Sequence, residues 1–114
     1  MPLHITPDIM ESVYETLRIT SPFRGWRLPP GDDVVFSVLR TDSIEGDYLF
    51  ERGQHRIRVS GTTHRTLHAV TMTVAHEMCH MRDQIKGVRS HHGGSFRRMA
   101  DVVCRHHGFD RGQF

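Results

Sequence analysis

Cysteine is scarce in this chain. Cys79 and Cys104 are the only two among 114 residues. No pair of C-x₂-C units is present, which excludes a zinc ribbon or finger. Both thiols read as small buried hydrophobes rather than as disulfide partners or metal ligands. Long apolar runs are missing too, and none approaches the roughly 20 residues of a membrane-spanning helix. The opening Met1-Pro2-Leu3-His4 lacks the basic-then-apolar pattern of a secretory signal. No membrane partner and a reducing, cytoplasmic setting are the expectations. Internal repeats and low-complexity tracts are absent. No glutamate follows Glu77, an absence that later narrows the choice of metal ligand.

A length of 114 residues suits one domain spanning 1–114, able to bury around two-thirds of its unfolded surface. The composition, 37% hydrophobic and 25% charged, is that of an ordinary globular protein. Net charge is only +2, but it is unevenly spread. Residues 1–51 carry nine acidic side chains against four arginines. Residues 52–114 carry eleven basic against four acidic. Such a basic half favours a polyanion such as DNA or an acidic substrate, although solvated helix faces are the commoner cause. Aromatics do not interleave with these arginines as a surface for single strands requires.

Histidine is what the chain has in excess, ten in all, and two of them frame His76-Glu77-Met78-Cys79-His80. With ten histidines and five glutamates placed at random, only about 0.04 H-E-x-x-H strings are expected. Histidines four apart on a helix lie about 40° apart around its axis, so both can reach one Zn²⁺. Glu77, one position on, is placed to take a proton from water at the metal.

The surrounding pattern supports a helix there. Leu67, Val70, Val74, Met78 and Met81 recur at steps of three or four, Lys86 suits a last turn, and Gly87 ends it. Upstream, Thr6-Pro7-Asp8 opens a first helix running to about Ile19. Ser21-Pro22 breaks it, and Trp26 reads as a packing anchor. Strands are expected at Val34–Arg40, Tyr48–Glu51 and His55–Ser60, joined by short turns into a small antiparallel meander. A last helix carries Phe96, Met99, Ala100 and Val103 inward to a cap at Gly108. Residues 109–114 form a tail with no assignable place.

Three patterns could complete the ligand set. The metzincin spacing would put Gly at position 83 and His at position 86, where Asp83 and Lys86 stand. A thermolysin-like Glu is ruled out, because none follows Glu77. A downstream histidine remains, and His92 begins a helix that can fold back on the first. His91 adjoins it, and only the glycine after His92 selects between the two. His55, His64, His68, His106 and His107 read as surface or core residues.

Together, H-E-x-x-H at 76–80 and His92-Gly93-Gly94-Ser95-Phe96 resemble the SprT-like (Spartan-type) metalloprotease domain, whose pattern continues as H-G-x-x-F. The firm match covers residues 76–96, and over 1–60 it is architectural. The resemblance implies an α+β, minimal gluzincin-like zincin fold: an N-terminal helix, a small three-stranded antiparallel-type sheet, the H-E-x-x-H helix and a closing helix. It implies Zn²⁺ held by His76, His80 and His92, Glu77 as catalytic base, and a protein or peptide substrate. Spartan-type relatives digest proteins crosslinked to DNA and carry extra DNA-binding parts not seen in this sequence. The strand before the zinc helix, Arg56–Ser60, is expected to hold the substrate backbone. Tyr48 or one of the remaining histidines is a candidate for stabilising the oxyanion. Two other readings compete. Deformylase-like hydrolysis would need a Cys ligand upstream of Cys79. A non-catalytic zinc-stabilised module that binds nucleic acid or a protein partner would leave Glu77 dispensable.

Overall fold

In the computed structural model, residues 3–63 and 66–114 are described. Helix α1 spans Pro7–Arg18. Its first turn is set by Thr6, whose Oγ1 accepts from the Ile9 amide at 3.2 Å, and by Pro7 at the first helical position. Met10, Tyr14 and Leu17 form its buried stripe. The Tyr14 hydroxyl donates to the Pro29 carbonyl at 2.6 Å, pinning α1 to the chain that leads into the sheet. Trp26 packs edge-on against the buried Phe23, its ring centroid 4.9 Å away, as the packing-anchor reading expected.

The sheet contains β1 (Val34–Leu39), β2 (Gly46–Glu51) and β3 (Gln54–Ser60). Its spatial order is β1-β3-β2, with β1 parallel and β2 antiparallel to β3. The expected antiparallel meander is therefore corrected to a mixed sheet. A two-residue turn at Arg52-Gly53, both at positive φ (52° and 75°), folds β2 directly onto β3. The segment after β1 crosses over the end of β3 instead of making a second hairpin. The hydroxyls of Ser60 and Thr62 both donate to the Thr41 carbonyl, and the Ser60 amide donates to Glu45 O at 2.8 Å. The central place suits β3, because Ile57, Val59 and Ser60 are fully buried there.

Helix α2 (Leu67–Lys86) packs against β2, β3 and both other helices, α1 also packs on β1 through Tyr14 and Phe36, and α3 (Gly94–His107) closes the structure. Val70, Val74, Met78 and Met81 are fully buried, the stripe that periodicity foretold. Cys79 and Cys104 are free and buried. The α+β arrangement of helix, sheet and two further helices matches the expectation. Among the described residues no helix is long and apolar enough to cross a membrane.

Candidate metal centre

Helix α2 ends in a Schellman turn. Gly87 takes φ 78°, its amide bonds to Gln84 O at 3.1 Å, and the Val88 amide bonds to Asp83 O at 2.9 Å. The chain reverses there and brings residues 88–93 back along α2. His92 then adopts a left-handed conformation, φ 54°, and turns its ring toward His76 and His80. Gly93 is required by space. A Cβ at that position would overlap the Ser90 Oγ and come within 2.9 Å of the Ser90 Cβ.

Three Nε2 atoms converge. Their separations are 3.2 Å for His76–His92, 3.3 Å for His76–His80 and 3.0 Å for His80–His92. A tetrahedral ion with metal–nitrogen bonds of about 2.0–2.1 Å needs ligand nitrogens about 3.3–3.4 Å apart, so the triangle has nearly the required size. Mutual hydrogen bonding does not account for it. Each neutral imidazole nitrogen offers one N–H or one lone pair, yet each here faces two others. The three histidines lie close enough to bind one metal ion, and the all-nitrogen donor set suits zinc.

Phe96 lies against the triangle, its ring 4.8, 4.5 and 4.7 Å from those of His76, His80 and His92. Being buried, it supplies a dry wall, which explains the aromatic of the H-G-x-x-F string. His91 stands apart from the cluster. It stacks flat on His80, centroids 4.4 Å apart with an interplanar angle of 4°.

Burial dominates the electrostatics. It pushes His76 down to about 4 against the opposing hydrogen bond that His76 donates to the Phe114 main-chain oxygen, and His80 down to about 3 with help from His76. His92 is lowered by burial and by His91. All three imidazoles are thus neutral at pH 7, the state a metal requires. Glu77 is only 4% exposed, and burial, with Asp47 adding to it, raises its carboxyl to about 8. A cation beside it would favour the ionised form.

Two cavities flank the cluster. One, of about 260 Å³, is lined by Gly46, Thr73, His76, Glu77 and Phe114 among others. The second, of about 380 Å³, is lined by Tyr48, Phe50, His80, Asp83 and His91 among others. Strand β2 contributes to both, and its outer edge has no strand partner among the described residues. The expectation that Arg56–Ser60 holds substrate is overturned, because β3 is hydrogen-bonded on both sides. The Tyr48 hydroxyl is engaged by His55 Nδ1 at 2.5 Å. His107 bonds to Ser21 O at 2.8 Å, His68 packs against Phe109 and His106 is exposed, so all three lie outside the cluster. His64 lies outside the described residues.

The tail left without a place in the sequence reaches the centre. His76 Nδ1 lies 2.5 Å from the Phe114 main-chain oxygen. Asp83 was missed as well. It is 4% exposed, its Oδ1 accepts from Ser95 at 2.6 Å, and it ties α2 to the first turn of α3 beside His92. A buried carboxylate near a helix start that no side chain caps is favoured by the dipole there. Its position three after His80 was the available signal.

Residues 18–111 match the family model described as SprT-like family. No curated protein and no solved structure matches the chain.

Proposed function

The chain belongs to the SprT-like family, and from that premise we propose that it is a zinc metalloendopeptidase. The observation that carries this reading is Glu77, nearly buried and lining the same cavity as His76 beside the three-histidine triangle. A module that used zinc only for stability would gain nothing from a carboxylate there, with its ionised form disfavoured by burial.

His76, His80 and His92 hold the ion. Zinc, when bound, supplies a Lewis acid that acidifies water and polarises the scissile carbonyl. Glu77 accepts the proton of the attacking water at its carboxylate and passes it to the departing amine. Phe96 excludes solvent from one side of the three rings. The substrate is a protein or peptide in extended form, laid along the free edge of β2 so that neighbouring side chains enter the two cavities. Among proteins, DNA-associated ones fit best, given the basic second half and the exposed Arg97, Arg98 and Arg105 of α3.

The test is Glu77→Gln. It keeps side-chain volume and all three ligands, so zinc content should persist while cleavage of unfolded or DNA-bound protein falls by roughly 10²–10⁴-fold. Equal cleavage by both forms would sink the assignment. Inactivity of both across the panel would favour the zinc-stabilised binding module.

A further inference from the structure

The main-chain oxygen of Phe114 touches the outer nitrogen of His76, at 2.5 Å. A main-chain carbonyl or carboxylate oxygen can only accept, so His76 Nδ1 must carry the proton in this contact. A neutral imidazole has one N–H, and its Nε2 is then left with a free lone pair. That Nε2 is the atom facing His80 and His92 at 3.3 and 3.2 Å.

We propose that Phe114 is a positioning residue of the metal centre, its main-chain oxygen holding His76 in the Nδ1–H tautomer that presents Nε2 to the ion. The proposal rests on the metal reading above and assigns a role to residues beyond the matched stretch, which stops at 111.

The tail is built to hold that oxygen still. After α3 ends at Gly108 (φ 73°), the buried Phe109 anchors the chain. Asp110 organises the next turn. Its Oδ1 accepts from the Gly112 amide at 2.9 Å, and its carbonyl accepts from Gln113 at 3.0 Å and Phe114 at 3.1 Å. Arg111 reaches back to Asp101 on α3 at 2.8 Å. The Phe114 ring lies 5.9 Å from Phe109 and 5.2 Å from His76, so ring and main-chain oxygen of one residue fix both the plane and the tautomer of the ligand. An acceptor on the outer nitrogen also makes the inner one more basic.

Three forms of the full chain test this: the wild type, a deletion of Gly112–Phe114, and Phe114→Leu, which keeps the main-chain oxygen and an apolar anchor. Zinc affinity is read by competition with a chelator, and the His76 tautomer by long-range ¹H–¹⁵N correlation in metal-free protein. The deletion should bind zinc about 10–100-fold more weakly, the usual range for losing a ligand's outer hydrogen bond. Phe114→Leu should stay much closer to wild type. His76 should be the Nδ1–H tautomer in wild type and lose that preference in the deletion. Wild-type zinc binding with an equally tight deletion and an unchanged tautomer overturns the proposal and leaves the metal centre standing. Absent zinc binding by the wild type removes the metal reading and this proposal with it. If the deletion fails to fold, an Nε2–H His76 in the intact metal-free chain overturns the proposal by itself.

Discussion

Glu77 carries two opposed demands. Its burial lifts the carboxyl to about 8, so the metal-free fold favours the neutral acid, whereas acting as a base requires the ionised form. The unfolded chain ionises it near its ordinary value of 4.5. A carboxyl raised on folding adds stability that is fully present below 4.5 and is lost as pH rises through about 8. The amide of Glu77→Gln never pays this ionisation cost. Metal-free Glu77→Gln should therefore melt several degrees above metal-free wild type at pH 8.5, with the difference shrinking to near zero by about pH 4.5. The depressed imidazoles of His76 and His80 destabilise both forms alike as pH falls below 6.5 toward 4 and 3, so they cancel in the comparison. Thermal melts of both proteins with chelator, at a series of pH values, measure it; a constant difference across pH would refute the assigned burial. At this scale much was legible beforehand, because helical spacing alone puts His76, Glu77 and His80 together. Phe114 was not legible: its proposed role runs through a main-chain oxygen, which every residue possesses.

At the scale of elements, the site depends on a short reversal between α2 and α3. Gly87 supplies the left-handed turn, and Gly93 lets the loop close on Ser90. Gly93 itself has φ −81°, a value any residue adopts, so its need for glycine is purely one of space. Gly93→Ala would drive a methyl onto the Ser90 side chain, within 2.9 Å of its Cβ, and the shift should carry the neighbouring His92 with it. We expect it to weaken zinc binding by at least about tenfold, since one ligand of three shifts. Ser90→Gly alone should bind nearly as wild type, and the double substitution should recover most of the loss. Zinc titration of this double-mutant cycle measures the coupling, and simple additivity of the two changes would show that the clash is not the cause. The order of the sheet shows where pattern reading stops. Alternation in β3 told which side chains face inward, and Ile57 and Val59 are indeed buried. Alternation carries no information on which strands are neighbours. That is decided by the crossover tied to Thr41 and Ser60, polar contacts with no periodic signature.

For the molecule as a whole, the question is whether the fold needs the proposed metal. Small zinc modules unfold without it, because the ion replaces a core. Here the core touches the triangle through Phe96, but most of it is built elsewhere. Met10, Tyr14, Phe23, Ile57, Val70, Val74, Met78 and Val103 are fully buried from five different parts of the chain, and none is a proposed ligand. The histidine cluster lies at the rim, with His92 exposed. Chelation should therefore lower stability without abolishing the fold: helix content by far-ultraviolet circular dichroism is retained at 25 °C, and the melt stays cooperative. With free zinc at about 1,000 times its dissociation constant, the holo form gains about 4 kcal/mol, or roughly 10–20 °C in Tm for a chain this size. His92→Ala should abolish most of that zinc-dependent gain while leaving the chelated melt near that of wild type, because His92 buries little. His91→Ala should keep the gain, because the His91 ring packs on His80 and His92 but stands outside the converging group. The reverse result would assign the third ligand to His91. An unfolded chelated chain would mean that the metal, rather than the apolar core, supplies the decisive share of stability.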